Sequence, residues 1–293
     1  MRYTKNRKYN FITVFTTFLL MFSLILGECG AVSKVKAQKK ENAKDYGVFL
    51  SLDSSKIKKL YGYKTVVIDA EYFSAKDIRK LHKKGIKVYT YLNVGSLENF
   101  RSYYKKYKNL TIGDYENWEE EKWIDVSSSK WSKFIKQHSE KFSEKGVDGF
   151  FIDNCDVYYY VKSNFGKEKA EKCFRALSNI LKNIRKIGKA VVINGGDVFV
   201  KRYQKLYGSA KDIMTAVNQE TVLSRINFKS GKFGKQYSSE RKYFSNYVKQ
   251  CKKDGMEVYL LEYTKNRKLI RQIQKYCKEN KFHYYISDSI ELD

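Results

Sequence analysis

The chain has 293 residues, 42% hydrophobic and 16% aromatic, which is enough for one large core and excludes a disordered or fibrous protein. Lys and Arg number 58 against 32 Asp and Glu, a formal charge of +26 that favours contact with anionic polymers such as nucleic acid, teichoic acids or a membrane surface. The positive charge is scattered as Lys over predicted helix faces. It forms no arginine-rich arm or nucleic-acid motif, so it reads as a solvated exterior and not as a specific nucleic-acid binder.

Arg2, Lys5, Arg7 and Lys8 precede an apolar stretch, Phe11 to Leu26, broken only by Thr13, Thr16, Thr17 and Ser23. With Val35-Lys36-Ala37 as a cleavage site, this predicts a signal segment over 1–37 and a mature start at Gln38. An uncleaved membrane anchor is the alternative. Glu28 before Cys29 argues against a lipoprotein signal. The segment carries six basic side chains and Glu28, so its removal leaves a charge near +21. The expectation is a secreted protein, with cell-wall or membrane association left open. Its oligomeric state is not legible.

A polar leader spans 38–45, and a barrel domain is expected over 46–293. The first strand runs Tyr46 to Leu50 and ends near Asp53; the second runs Lys64 to Ile68 and ends Asp69-Ala70-Glu71. Ser74, with Asp77 three residues on, opens a helix that Gly85 stops. The third strand, Lys87 to Leu92, ends in Asn93-Val94-Gly95-Ser96-Leu97-Glu98. The long connection that follows, through Trp118 and Trp123, is expected to carry short helices of its own. Ser129 opens a helix whose Trp131, Phe134, Ile135, His138 and Phe142 recur at helical spacing, a core-packing stripe.

The fourth strand is the short apolar run Phe150 to Ile152, which ends abruptly in Asp153-Asn154-Cys155-Asp156. A strand buried on both faces has no use for charge, so a carboxylate at its C-terminal end can face a cleft; the plainer alternative is that Asp153 caps the next helix. A helix over Lys167 to Lys186 leads to the fifth strand, Ala190 to Ile193, ending Asn194-Gly195-Gly196-Asp197. The sixth is expected over Asp212 to Val217, ending Asn218-Gln219-Glu220-Thr221. A polar Gly-rich connection over 227–239 precedes a helix from Ser239 to Asp254. The seventh strand, Glu257 to Leu261, ends Glu262-Tyr263. A helix over Asn266 to Asn280 and the eighth strand, His283 to Ser287 ending Asp288, close the pattern.

Eight βα units in about 250 residues define an α/β fold of the (β/α)8 TIM-barrel type, a single domain after the signal segment. An open doubly wound sheet also alternates, but it normally carries a glycine loop after its first strand; here that loop is Ser51-Leu52-Asp53-Ser54-Ser55, which argues against nucleotide binding. Cys155, Cys173, Cys251 and Cys277 show no metal spacing. Cys251 and Cys277 either pair as a disulfide or stay buried as free thiols. His82, His138 and His283 lie far apart, so no metal and no cofactor is expected.

In a strongly basic chain, the residues after the strands are acids and amides: Asp53, Asp69, Glu71, Asn93, Glu98, Asp153, Asn154, Asp156, Asn194, Asp197, Asn218, Glu220, Glu262 and Asp288. No Ser-His-Asp set and no phosphate loop competes with them. Carboxylates paired with amides and tyrosines suit glycoside hydrolysis, which needs two carboxyl groups about the scissile bond. Tyr72, Tyr91, Tyr158, Tyr159 and Tyr263 lie near strand ends, where they serve either as sugar platforms or as core. Asp156, one turn beyond Asp153, is expected to cap a helix or bind a hydroxyl.

Gly-Val-Phe-Leu at 47–50, Val-Val-Ile-Asp-Ala at 66–70 and Tyr-Leu-Asn-Val-Gly-Ser-Leu-Glu at 91–98 resemble glycoside hydrolase family 114, the endo-α-1,4-polygalactosaminidase-like proteins. Trp-Ile-Asp-Val at 123–126, Asp-Gly-Phe-Phe-Ile-Asp-Asn at 148–154 and Ile-Asn-Gly-Gly at 193–196 continue the resemblance in order. It implies an endo-acting, retaining hydrolase of α-1,4-linked galactosamine polymers, with Asp153 as nucleophile and Glu220 as acid/base. Glu262 is the alternative acid. Asp53, Asp69, Tyr91, Asn93, Glu98, Asn154, Asp156, Asn194, Glu262 and Asp288 are the expected substrate-binding set. The implied partners are a polysaccharide substrate and, through the basic exterior, an anionic wall polymer. A catalytically silent glycan- or wall-binding barrel is the competing reading.

Overall fold

The computed structural model describes residues 43–116 and 118–293; the expected signal segment lies outside them, as does most of the polar leader. Strands β1 (Lys44–Phe49), β2 (Tyr63–Ile68) and β3 (Lys87–Asn93) open the chain, with α1 (Ala75–His82) between the last two. Ser74 caps α1 as expected, and Asp77 bonds back to the Ser74 backbone, so the two close a capping box. After β3 comes an insertion: β4 (Ser96–Glu98), the single turn α2 (Tyr104–Tyr107), β5 (Thr111–Asp114) and β6 (Glu121–Ile124). Its three strands make a small antiparallel sheet, where the sequence suggested only short helices.

Next come α3 (Ser129–Glu144), β7 (Gly149–Asp153), α4 (Val157–Asn164), α5 (Gly166–Lys186), β8 (Ala190–Asn194), α6 (Asp197–Tyr207) and β9 (Ala216–Glu220). The strand expected over 212–217 is therefore displaced, and Glu220 is its last residue instead of lying beyond it. The polar connection after it folds as a hairpin, β10 (Ser224–Asn227) and β11 (Lys232–Lys235). Helix α7 (Ser238–Lys253), β12 (Glu257–Tyr263), α8 (Arg267–Asn280) and β13 (His283–Ser287) complete the chain.

Strands β1, β2, β3, β7, β8, β9, β12 and β13 pair in that order, all parallel, in a (β/α)8 TIM barrel. At the seam β1 lies beside β13, where Phe49 packs on Tyr285 with ring centroids 5.3 Å apart. Side chains alternate along each strand, which sorts the core into two parts. Tyr46, Val48, Val67, Tyr89, Tyr91, Phe151, Val192, Ala216, Tyr259, Leu261 and Tyr263 fill the barrel interior. Their neighbours, such as Val66, Ile68, Phe150, Ile152, Ile193 and Leu260, pack outward under the helices. Gly149 is required by this packing, because a Cβ there would stand 2.7 Å from the Tyr89 ring. All four described cysteines are buried and free, so Cys251 and Cys277 do not pair. Among the described residues no helix is long and apolar enough to cross a membrane.

Candidate active site

The inward alternation runs off the strand tops into polar residues. Phe151 is followed two residues on by Asp153, Val192 by Asn194, Val67 by Asp69, and Ala216 by Asn218 and then Glu220. Ile152 pairs with Ile193 and Asn194 with Asn218, so Asp153, Asn194 and Asn218 lie level across three strands, with Glu220 one inward position higher. The barrel register thus delivers two carboxyl groups and two amides to one corner of the mouth.

These groups form one directed chain of hydrogen bonds. The Tyr46 hydroxyl donates to Asn218 Oδ1 at 3.2 Å, and Asn218 Nδ2 donates to Asn194 Oδ1 at 2.7 Å. That fixes which way Asn194 points, and its Nδ2 then donates to both Asp153 Oδ1 at 3.0 Å and Glu220 Oε1 at 2.8 Å. Because one nitrogen serves both, the accepting oxygens are no further apart than the sum of those lengths, about 5.8 Å. The trigonal spread of the two N–H bonds puts them about 5 Å apart.

Asp153 Oδ1 also accepts from the Asn154 backbone N–H at 3.0 Å, and Glu220 Oε2 accepts from the Tyr263 hydroxyl at 2.8 Å. Burial raises both carboxyl pKa values above their ordinary range, against the lowering effect of the Asn194 donors; for Glu220 the Asp153 charge adds to the rise. Each carboxylate is followed by a residue in left-handed backbone, Asn154 at φ 63° and Thr221 at φ 54°. Asn tolerates that region, whereas a β-branched Thr is an outlier there, held by its N–H to Leu261 O and its carbonyl to Gln236.

The cavity above the pair has a volume of about 290 Å³ and is lined by Asp69, Tyr91, Glu98, Asn154, Asp156 and Asn194 from the expected binding set, together with Asp153, Glu220, Tyr72 and Tyr263. Asp53 instead caps a 3-10 turn, accepting from the Ser55 N–H at 2.8 Å. Asn93 faces inward but is spent beneath the lining, accepting from the Ser96 N–H and donating to Ser96 Oγ. Asp288 borders a neighbouring cavity. Glu262 has the wrong parity: it lies between inward-facing Leu261 and Tyr263, is fully buried, and accepts from the Leu223 N–H at 2.9 Å and the Ser224 N–H at 2.7 Å. It roots the hairpin and does not reach the cleft. Asp156 makes no cap on its own helix; it accepts from the Gly196 N–H at 3.0 Å, and burial lifts its pKa to about 7. Tyr158 is core, and Tyr159 is exposed on α4 away from the lining.

The loops supply residues that strand-end reasoning missed. Glu121, on β6, accepts from Ser96 Oγ at 2.8 Å and Asn154 Nδ2 at 3.2 Å. Burial, with the negative Glu98 and Asp153 nearby, pushes its pKa up to about 8. Tyr115, Trp118, Phe100, Phe228 and Glu291 also line the cavity. Among the described residues Arg101 is the lone Lys or Arg in the lining, and it pairs with Asp69 at 2.6 Å and with Glu98. Seven carboxylates therefore face one cation among the described lining residues, in a chain of charge +26. Among the described residues no group of His, Cys, Asp or Glu is arranged to hold a metal ion.

An eight-stranded parallel barrel with a carboxylate pair at the C-terminal rim of its strands has the build of a TIM-barrel glycoside hydrolase. The chain belongs to glycoside-hydrolase family GH114, whose model matches residues 30–290. Its fold is similar to the glycoside hydrolase domain of PelA from Pseudomonas aeruginosa, with 16% identity and a TM-score of 0.72 over 85% of this chain and 96% of that one. It is also similar to Ega3 from Aspergillus fumigatus, solved in complex with galactosamine, with 15% identity and a TM-score of 0.65 over 86% and 93%. The α-galactosidase TtGalA from Thermus thermophilus is more distant, with 9% identity and a TM-score of 0.54 over 83% of this chain and 57% of that one. Comparison with curated protein sequences finds no match.

Proposed function

We propose that the protein is an exported, endo-acting hydrolase of α-1,4-linked galactosamine-containing polysaccharide that works by a two-carboxylate retaining mechanism. The observation that carries this reading is the single Asn194 amide holding Asp153 and Glu220, with accepting oxygens about 5 Å apart, near the separation of retaining pairs. Asp153 Oδ1 is occupied by two N–H donors, which favour the ionised form and leave Oδ2 to attack the anomeric carbon. Glu220 faces one N–H donor at Oε1, so its proton belongs on Oε2, where the bond to Tyr263 reverses. Glu220 protonates the departing oxygen; Asp153 forms the glycosyl ester; Glu220 then takes a proton from the water that cleaves it.

The acidic cleft suits an amino sugar, whose ammonium group offsets the clustered carboxylates, and the similarity to galactosamine-bound Ega3 agrees. The basic exterior suits retention on an anionic wall polymer after export through the N-terminal segment.

The test is to incubate the mature protein with a panel of exopolysaccharides that includes deacetylated α-1,4-galactosamine polymer, then assay Asp153→Ala and Glu220→Ala with azide and an activated glycoside. Oligosaccharide release by the wild type is expected, with loss in both variants and an azide product of inverted configuration from Asp153→Ala. Wild-type turnover in Asp153→Ala removes the nucleophile assignment. A folded wild type that binds these glycans but cuts none supports the silent binding barrel instead.

A further inference from the structure

Two arms meet at the mouth of the barrel. The β4–β6 sheet rises after β3 and carries Trp118 in the loop between β5 and β6; the β10–β11 hairpin rises after β9 and carries Phe228 in its turn. The two rings touch edge to face, with centroids 5.5 Å apart and planes at 81°. Both side chains line the cleft of Asp153 and Glu220. In the barrel order, β7 and β8 lie between the strands from which the arms rise, so the contact spans the strand ends bearing Asp153 and Asn194.

Each arm has a firm base. Trp123 on β6 stacks on Tyr160 of α4 at 5.2 Å, and Tyr115 lies 4.3 Å from Trp123. Gly113 packs so closely that a Cβ would overlap the Tyr160 hydroxyl. On the other side Glu262 ties down Leu223 and Ser224, and Phe233 packs on Tyr263 at 5.9 Å. The tips are different: Phe228 is 43% exposed and fills no core. An aromatic pair held at the rim of an acidic cleft matches a ligand that is polar at its edges and apolar on its C–H faces, which describes a pyranose ring.

We propose that Trp118 and Phe228 form an aromatic strap that grips the sugars flanking the bond to be cut, so that a polymer is held more tightly than a single sugar. The inference rests on the glycosidase reading above. The rings are in contact, so no sugar fits between them; a chain threads beneath the pair or enters as the arms part, and the strap then covers it. A single amino sugar has no flanking residue to grip.

The experiment uses the mature chain carrying Asp153→Asn, titrated with α-1,4-galactosamine oligosaccharides and with galactosamine. Trp118 is the lone tryptophan in the cleft; Trp123 and Trp131 are 7% and 1% exposed, so the oligosaccharide-induced fluorescence change should disappear in Trp118→Phe. By calorimetry, Phe228→Ala should weaken oligosaccharide binding by about tenfold while changing galactosamine binding by less than about twofold. An unchanged melting temperature separates lost grip from lost fold. A fluorescence change retained in Trp118→Phe, or oligosaccharide affinity unchanged in Phe228→Ala, overturns the strap while leaving the glycosidase reading intact. A wild type that neither cuts nor binds any amino-sugar glycan overturns that reading, and the strap with it.

Discussion

Replacing Asn194 by Ala removes both N–H donors that hold Asp153 and Glu220 in one geometry. A hydrogen bond to a charged group contributes about 1.5–3 kcal/mol, and one pKa unit corresponds to about 1.36 kcal/mol. Loss of its donor should therefore raise the Asp153 pKa, already lifted by burial, still further. In the proposed mechanism the attacking form is the ionised one, so the acidic limb of kcat/KM should move upward, by about one pH unit for a hydrogen bond at the weak end of that range. The pair also loses its common anchor, and misplacement on the order of 1 Å lowers kcat by about a hundredfold. Asn218 Nδ2 loses its acceptor, which costs roughly 1–3 kcal/mol of stability and lowers the melting temperature by several degrees. The assay is reducing-end release from the polymer between pH 4 and pH 8, with circular dichroism to establish folding. A folded Asn194→Ala enzyme with an unmoved acidic limb and kcat within about twofold of wild type would refute the reasoning.

Glu262→Ala strands the N–H groups of Leu223 and Ser224 and the Ser224 hydroxyl, so the barrel should lose about 3 kcal/mol or more in chemical denaturation, with Glu262→Gln milder; an unchanged midpoint in the Ala variant removes the hairpin-rooting role. Stability should fall as pH rises from about 5 to about 8, because carboxyl groups with raised folded values bind more protons folded than unfolded in that window. Asp156 and Glu262 sit at about 7 and Glu121 at about 8. Glu71 and Asp77 act on the other side: burial raises both, but His138 and Arg101 beside Glu71, and Ser74 and Lys80 beside Asp77, together lower them on balance, so their contribution is lost as pH falls below about 4. A melting temperature that climbs from pH 5 to pH 8 contradicts this.

The eight-strand pattern was legible because each barrel strand is a short apolar run closed by a turn residue. The β9 boundary slipped because Asp212 to Thr215 reads as continuous with it, whereas Ile213 and Met214 are buried outside the strand. The lining of the candidate site was legible wherever the two-residue alternation was followed to the strand top: Asp69, Asp153, Asn194 and Glu220 continue the inward set of Val67, Phe151, Val192 and Ala216. Proximity to a strand end without that parity misled. Glu262 sits between two inward residues, Asp288 follows inward Ser287, and Asp53 is spent in a turn. Glu121, Trp118 and Phe228 had no comparable signal. They reach the cleft through a sheet and a hairpin whose docking depends on tertiary contacts such as Trp123 on Tyr160 and Glu262 on Ser224.

Arg101 satisfies Asp69 and Glu98, which leaves five lining carboxylates, Glu121, Asp153, Asp156, Glu220 and Glu291, without a cation of their own among the described lining residues. Burial and mutual repulsion resolve the crowding by protonation: Asp156 at about 7 and Glu121 at about 8 both carry partial proton occupancy near neutral pH. An ammonium group entering the cleft favours the ionised forms and lowers these values. Binding an amino sugar at pH 7 should therefore expel protons, up to about one per site, whereas an N-acetylated sugar of the same shape should expel none. Calorimetric titration of the wild-type protein with galactosamine and N-acetylgalactosamine, which offer no glycosidic bond to cut, in buffers of different ionisation enthalpy reads this directly. A binding enthalpy that depends on the buffer for the amine and not for the acetamide fits an acidic cleft built for a cationic glycan. Equal buffer dependence for the two sugars, or none for either, would mean that the carboxylates serve the fold and the reaction without selecting the substrate's charge.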